Sequence, residues 1–181
     1  MKYEVKQITE LTETEIEHIL QLWDISSWNS MKSDYFRTFF KNSAFHFLLD
    51  ADKNILSLIR VNYDFVLEIS GTQLPFAEAV GLVAAQKKKG YGAKLVEYFR
   101  DYVVSNNIET IGFCHQELRP FYEKCNVEIL YDKAKTIKEN IGTEWINSED
   151  DDILIFNVSA KRKEQLSQLS DKNNAYLITK E

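Results

Sequence analysis

From Ala44 to Val83 the chain changes its hydrophobic period, and that change limits the folds open to it. Between Ile16 and Phe40, just before this stretch, apolar residues recur at helical spacing. Within it they arrive in strand-length runs, Phe45 to Leu49, Ile55 to Val61, Phe65 to Ile69 and Phe76 to Val83, separated by the turn-forming stretches DADKN and SGTQ. Runs this close together predict an antiparallel meander. Pro75 stands at the head of the last run, where a missing N–H does least harm. Helical patterns on both sides make the fold class α+β: an antiparallel sheet with helices packed against it.

The flanking segments carry their own signals. KYEVKQI puts Tyr3 and Val5 on one face of a first strand, and Thr12 with Glu15 forms a capping box ahead of Ile16, Ile19, Leu20 and Trp23 at helical spacing. In SDYFRTFFKN, Ser33 is the expected cap of a second helix, and Phe36, Phe39 and Phe40 form a stripe read as core. Leu95, Tyr98, Phe99, Tyr102 and Val103 mark a third helix lying on the sheet. IETIGFC then reads as a strand and ELRPFYEKC as a short helix, followed by Asn126, which tolerates the left-handed conformation that ends helices. VEILY and DILIFNVSA are expected to pair as a hairpin across a long polar connection. Its acidic run, Glu149 to Asp152, reads as a charged loop, because it lacks the interleaved ligands and glycine of a calcium loop. The tail from Lys161 predicts a helix and a final extended piece.

The 181 residues are enough for one domain with a proper core and too few for two ordinary ones, so residues 1–160 are expected to form a single domain with 161–181 as an extension. A formal net charge of −6 argues against a nucleic-acid partner, which would need a basic face. The opening residues hold no apolar segment of the secretory kind, and no run is long enough to cross a bilayer, so the expectation is a cytoplasmic protein without a membrane partner. Cys114 and Cys125 fit no metal or redox spacing and are expected as core or site-lining residues.

The segment AVGLVAAQKKKGYGAKLVEYFRDYV carries the chemistry. A strand runs into a basic glycine turn and then a helix, leaving backbone N–H groups unpaired at the positive end of the helix dipole, which is a place for phosphate. Gly90 and Gly92 let the backbone approach an anion, while Lys87, Lys88 and Lys89 add charge. GYGAKL lacks the hydroxyl of a magnesium-holding phosphate loop, and Leu95 stands where a dinucleotide fingerprint needs its third glycine. A plain solvated turn stays open as the alternative.

Taken together with RPFYEKCNVEIL one helix and one strand later, GLVAAQKKKGYGAKLV resembles the GCN5-related N-acetyltransferase superfamily. The resemblance implies a mixed, mostly antiparallel central sheet flanked by about four helices, with acetyl-coenzyme A as cosubstrate and no metal. It implies a coenzyme site built from Leu82, Val83, Lys87, Lys88, Lys89, Gly90, Tyr91, Gly92, Ala93 and Lys94, with Tyr122 beside the coenzyme's sulfur. Lys87 replaces the usual Gln or Arg, Asn126 the usual glycine and Val127 the usual phenylalanine. His115 stands where an asparagine often contacts the pantetheine arm, and that role is not carried over. The stretch DFVLEISGTQLPF implies an extra strand in the meander, comparable to an insertion in the enhanced-intracellular-survival type.

On that reading the chain moves an acetyl group to a primary amine of a small molecule or peptide. Glu78, on the same strand face as Val80 and Leu82 if alternation holds, is the expected base, and Tyr122 the expected acid. The backbone N–H of Leu82 or Val83 would polarise the thioester carbonyl. Trp28, Tyr35 and Phe36 are expected around the acceptor, and the chain is expected as a monomer or homodimer. A different class of reading is an acyl-coenzyme A sensor or interaction module without efficient catalysis.

Overall fold

The computed structural model describes residues 1–178, so the last three residues of the expected extension lie outside the described residues. The chain divides into two compact units, Met1–Asn62 with Ala79–Phe99, and Tyr63–Glu78 with Arg100–Glu181.

In the first unit, β1 (Lys2–Gln7) is followed by α1 (Glu13–Trp23), α2 (Ser33–Phe39), β2 (Ser43–Leu49), the start of β3 (Ile55–Ile69), the end of β4 (Thr72–Ala84) and the first turns of α3 (Tyr91–Ser105). β2 pairs antiparallel with both β1 and β3. The expected box opens α1: Glu15 N–H donates to Thr12 Oγ1 at 3.2 Å, and Thr12 N–H to Glu15 Oε2 at 2.9 Å. Asp24, at φ 49°, ends it. The cap of α2 differs from expectation. Lys32 is its N-cap and Ser33 the first helical residue, with no side-chain hydrogen bond closing the end.

Ile16, Ile19, Phe36, Phe40, Phe45 and Phe47 form the centre of this unit's core. Phe36 has no exposed surface, and burying such a ring stabilises by about 1.5–3 kcal/mol. Phe39 departs from the expected stripe: it is 53% exposed, because the helix is only two turns long and its outer face has no cover. β2 is buried on both faces. Phe45 and Phe47 enter the core, while His46 lies edge-on to Phe99 at 5.0 Å and shares a 2.5 Å hydrogen bond with the Tyr3 hydroxyl.

The second unit contains the rest of β3, β4 and α3, then β5 (Thr110–Cys114), α4 (Arg119–Lys124), β6 (Glu128–Leu130), β7 (Ile137–Ile141), β8 (Glu144–Asn147), β9 (Asp152–Asn157), α5 (Ala160–Ser167) and β10 (Ala175–Leu177). Its strand order is β6-β9-β5-β4-β3-β10-β7-β8. β5–β9, β6–β9, β7–β8 and β10–β3 are antiparallel, and β10–β7 is parallel. Leu67, Ile111, Ala134, Ile153, Leu166 and Ala175 are wholly enclosed in its core.

The fold class is the expected mixed, mostly antiparallel one, with five α-helices among the described residues where about four were expected; α5 and β10 fill the predicted helix and extended piece of the tail. The meander is corrected in one respect. Ile55 to Ile69 is one strand, since Asn62 and Asp64 interrupt the apolar run without supplying a turn, and Tyr63 and Val66 are good strand formers. The chain reverses at Ser70 and Gly71, both at positive φ, in a two-residue hairpin. DFVLEISGTQLPF therefore lengthens two strands and adds none, and Pro75 lies inside β4 instead of at its head. The polar connection before β9 is also more ordered than expected, because it holds the β7–β8 hairpin.

Candidate functional site

In the first unit the site grows from the end of β4. Gly81 sits inside the strand at φ +68°, and its carbonyl accepts from Trp23 Nε1 at 2.8 Å. A Cβ on Gly81 would lie 2.9 Å from Nε1, so only glycine allows the indole this close. Trp23 is itself fixed among the rings of Trp28, Phe36, Phe40 and Phe45. A left-handed residue in mid-strand has the conformation of a bulge and re-aims the residues after it. Leu82, Val83 and Ala84 are accordingly all half-buried in succession. The alternation expected to align Glu78 with Leu82 is thus broken at Gly81; Glu78 is half-buried in the strand before the break.

Past β4, Ala85 N–H donates to the Leu56 carbonyl at 2.9 Å and the chain turns through residues 85–90. Lys88 and Gly90 are left-handed, at φ 62° and 78°. Gly90 acts as the N-cap: its carbonyl accepts the first helical bond, from Lys94 N–H at 3.0 Å. Ser57 Oγ donates to the Tyr91 carbonyl at 3.1 Å, which anchors the first turn of α3 to β3. The N–H groups of Tyr91, Gly92 and Ala93 thus head a helix whose deep face is Leu95, Val96, Phe99 and Val103. Lys87, Lys88 and Lys89 are exposed and, among the described residues, in no ion pair. Lys94 is different: its ammonium lies 2.9 Å from Glu97 and over the Tyr98 ring, along the flank of the helix.

Of the expected acceptor residues, Phe36 is core, Trp28 is half-buried among rings and Tyr35 is 58% exposed. The sequence reading missed a cleft of about 790 Å³ between Glu13, Glu17 and Gln21 of α1 and the segment Asn29 to Asp34.

Tyr122 belongs to the second unit, on α4, and is 7% exposed with its ring edge-on to Phe121 at 4.9 Å. Two features hold α4. At its start Arg119 makes a two-pronged contact with Asp152, Nε to Oδ2 at 2.5 Å and Nη2 to Oδ1 at 2.7 Å. At its end Val127 N–H donates to the Tyr122 carbonyl and Asn126 N–H to the Glu123 carbonyl, both at 3.0 Å, with Asn126 left-handed as expected.

The acidic run, expected as a solvated loop, is largely structural. Asp152 has no exposed surface and also accepts the Asp132 N–H at 2.7 Å; Asp151 accepts the Gln116 N–H at 2.7 Å and pairs with Lys135 at 2.9 Å. Each of these two acids meets a donor that the local sequence does not reveal. Lys135 and the Gln116 N–H hold Asp151 below the usual carboxylate range. Burial instead lifts Asp150. Burial also raises Tyr122 above its ordinary value, with smaller contributions from Cys114, Cys125 and Asp150, and pushes the Cys114 thiol up to about 12. Both cysteines are free, Cys114 buried and Cys125 half-buried. At neutral pH Tyr122 therefore keeps its proton and offers it as a hydrogen-bond donor.

No helix among the described residues is long and apolar enough to cross a membrane, and no group of His, Cys, Asp or Glu among them is arranged to hold a metal ion. No known family profile matches the chain, and no curated protein matches its sequence. Solved structures do match its fold. A GNAT family N-acetyltransferase (YhbS) from Escherichia coli in complex with coenzyme A superposes with a TM-score of 0.61 at 9% identity, covering 98% of this chain and 89% of that one. The catalytic domain of the Tetrahymena GCN5 histone acetyltransferase, also with coenzyme A, gives 0.51 at 13% identity over 86% and 93%. A conserved protein from Enterococcus faecalis V583 gives 0.52 at 12% identity over 72% of this chain and 33% of that one, so this chain spans about a third of its length.

Proposed function

We propose that this chain, which has the fold of the GCN5-related N-acetyltransferases, transfers the acetyl group of acetyl-coenzyme A to a primary amine. The observation that carries the reading is the continuous β4–turn–α3 segment. A left-handed Gly81 re-aims the strand end, and a left-handed Gly90 caps a helix whose leading N–H groups stand beside three exposed lysines. That arrangement suits a diphosphate, which needs convergent N–H donors and positive charge and no side-chain bulk at the turn.

Each chemical demand then falls to a residue. Leu82 or Val83, past the Gly81 break, directs a backbone N–H at the thioester oxygen; a donor fixed in advance stabilises the charge developing there at no reorganisation cost. Tyr122 donates a hydrogen bond, and then its proton, to the departing sulfur. The incoming amine has a reference pKa of about 10.4 and arrives as ammonium, so it must lose a proton before attack. Glu78 is the carboxylate that the sequence nominates for that step. The acceptor is a small molecule or peptide with a free amino group. The acidic balance of the chain suits a cation, and its cleft beside α1 carries Glu13, Glu17 and Asp24.

Calorimetric titration with acetyl-coenzyme A tests the coenzyme half of this reading. Saturable binding that desulfo-coenzyme A competes away is the expected result. A titration without heat, repeated at several temperatures, would end the proposal.

A further inference from the structure

One carboxylate of the second unit has no part in the reading above. Asp151 and Asp152 are tied to cations and N–H donors, whereas the half-buried Asp150 carboxylate, among the described residues, has neither an ion pair nor a hydrogen-bond donor. Backbone geometry fixes its surroundings. β5 and β9 pair with Cys114 opposite Asp152, and Asp151 N–H donates to the Cys114 carbonyl at 3.1 Å, which carries the chain back along the end of β5. Asp150 is thereby brought beside Cys114 and His115. Arg119, gripping Asp152, fixes the first turn of α4, and Tyr122 comes three residues later on the same side of the helix. The Asp150 carboxylate therefore shares one neighbourhood with the Tyr122 hydroxyl, the Cys114 thiol and His115, close enough for its charge to act on each of them or theirs on it.

We propose that Asp150, in place of the Glu78 that the sequence nominates, is the catalytic carboxylate that meets the acceptor's ammonium and removes its proton. This rests on the acetyl-transfer reading, and on Tyr122 as the partner of the sulfur. A half-buried carboxylate held by no ion pair and no donor attracts a cation and loses little in giving up its own charge. Burial lifts its affinity for a proton, Glu139, Asp151 and Glu149 add to the lift, and His115 opposes it. Tyr122 and Cys114, which also face it, stay neutral at working pH. The step balances without an added reagent. The ammonium gives one proton to Asp150, which passes it to solvent, and the freed lone pair forms the N–C bond to the thioester carbonyl. The C–S bond breaks, and sulfur keeps the electron pair and takes a proton from Tyr122. The second proton lost by nitrogen restores Tyr122.

The test compares wild type, D150N, D150S and E78Q. Thiol release from acetyl-coenzyme A is measured with n-butylamine, spermidine, kanamycin and a peptide with a free amino terminus, between pH 6.5 and 9.5. With the fastest acceptor, D150N is expected to be about 100-fold slower at pH 7, in the range of a lost general base. That deficit should shrink with rising pH, because solvent supplies about ten times more neutral amine per pH unit below the amine's pKa. A merely structural defect gives a deficit that does not change with pH. Should D150N fail to show native circular dichroism, D150S carries the same comparison. Wild-type turnover in D150N, a pH-independent deficit, or a shrinking deficit in E78Q alone overturns the assignment. A wild-type protein that binds acetyl-coenzyme A by calorimetry yet releases no thiol with any of the four amines removes the transfer reading itself. That outcome is distinct from one in which transfer proceeds without Asp150.

Discussion

Replacing Gly81 by alanine separates conformational strain from steric contact at the residue on which the β4 end depends. At φ +68° an alanine costs about 1–2 kcal/mol in the left-handed region. Its Cβ would meet Trp23 Nε1 at 2.9 Å, Cε2 at 3.1 Å and Cζ2 at 3.2 Å, so the indole must move. That movement forfeits the 2.8 Å bond to the Gly81 carbonyl, worth about 1 kcal/mol, and disturbs a ring packed against four others, where overpacking costs about 1–3 kcal/mol. The sum is about 3–6 kcal/mol. Gly71 supplies the control, since it has φ +76° and nothing within 4 Å of a Cβ, so G71A should cost only the strain, about 1–2 kcal/mol. Urea unfolding followed by tryptophan fluorescence measures both. The double variant W23A/G81A should fall short of the summed single effects, because the clash is gone. If G81A costs no more than G71A, the close approach of Trp23 is not what demands glycine, and the account of the β4 break is wrong.

Other consequences are testable separately. Y122F should keep its coenzyme affinity and lose about 100-fold or more in kcat, as removal of a general acid does; unchanged turnover rules the tyrosine out. G92W should abolish acetyl-coenzyme A binding in calorimetry while leaving circular dichroism native, and retained affinity would end the diphosphate assignment for this turn. His46 is buried and its pKa is lowered by that burial to about 4, against about 6.5 in the unfolded chain. The unfolded state then binds more protons between those values, so this contribution is intact above about pH 6.5 and is lost as pH falls towards 4, by about 3 kcal/mol at most. H46L should flatten that part of the stability–pH curve; an unaltered slope refutes the assignment.

The parts of the fold that could be read from sequence are those set by local rules. The Thr12 box, the strand runs, the helix beginning at Tyr91 and the left-handed Asn126 each declare themselves within a few residues. What stayed hidden depends on partners distant in the chain. Phe39 looks like Phe36 on a helical wheel, and only the absence of a covering layer separates them. The β7–β8 hairpin was obscured because both strands are short and β8 is exposed throughout, although Gly142 between Ile141 and Glu144 was an available turn signal. Asp150, Asp151 and Asp152 read as one charge run. Yet Asp152 is gripped by an arginine 33 residues away, Asp151 pairs with Lys135, and Asp150 forms no ion pair among the described residues. At the site, the glycine turn was legible and the break at Gly81 was not, though a glycine inside a strand pattern is itself a bulge signal. Nothing near Gly81 in sequence announces Trp23, which is 58 residues away.

The most direct test of acetyl transfer is release of free thiol from acetyl-coenzyme A in the presence of amines, with the product identified by mass spectrometry. Acetyl transfer by this chain gives amine-dependent thiol release with one acetyl group gained by the acceptor nitrogen, lost in Y122F and in G92W. Saturable coenzyme binding without amine-dependent release across small amines, polyamines, aminoglycosides and peptides would contradict it, and would leave a domain that binds the coenzyme without using it.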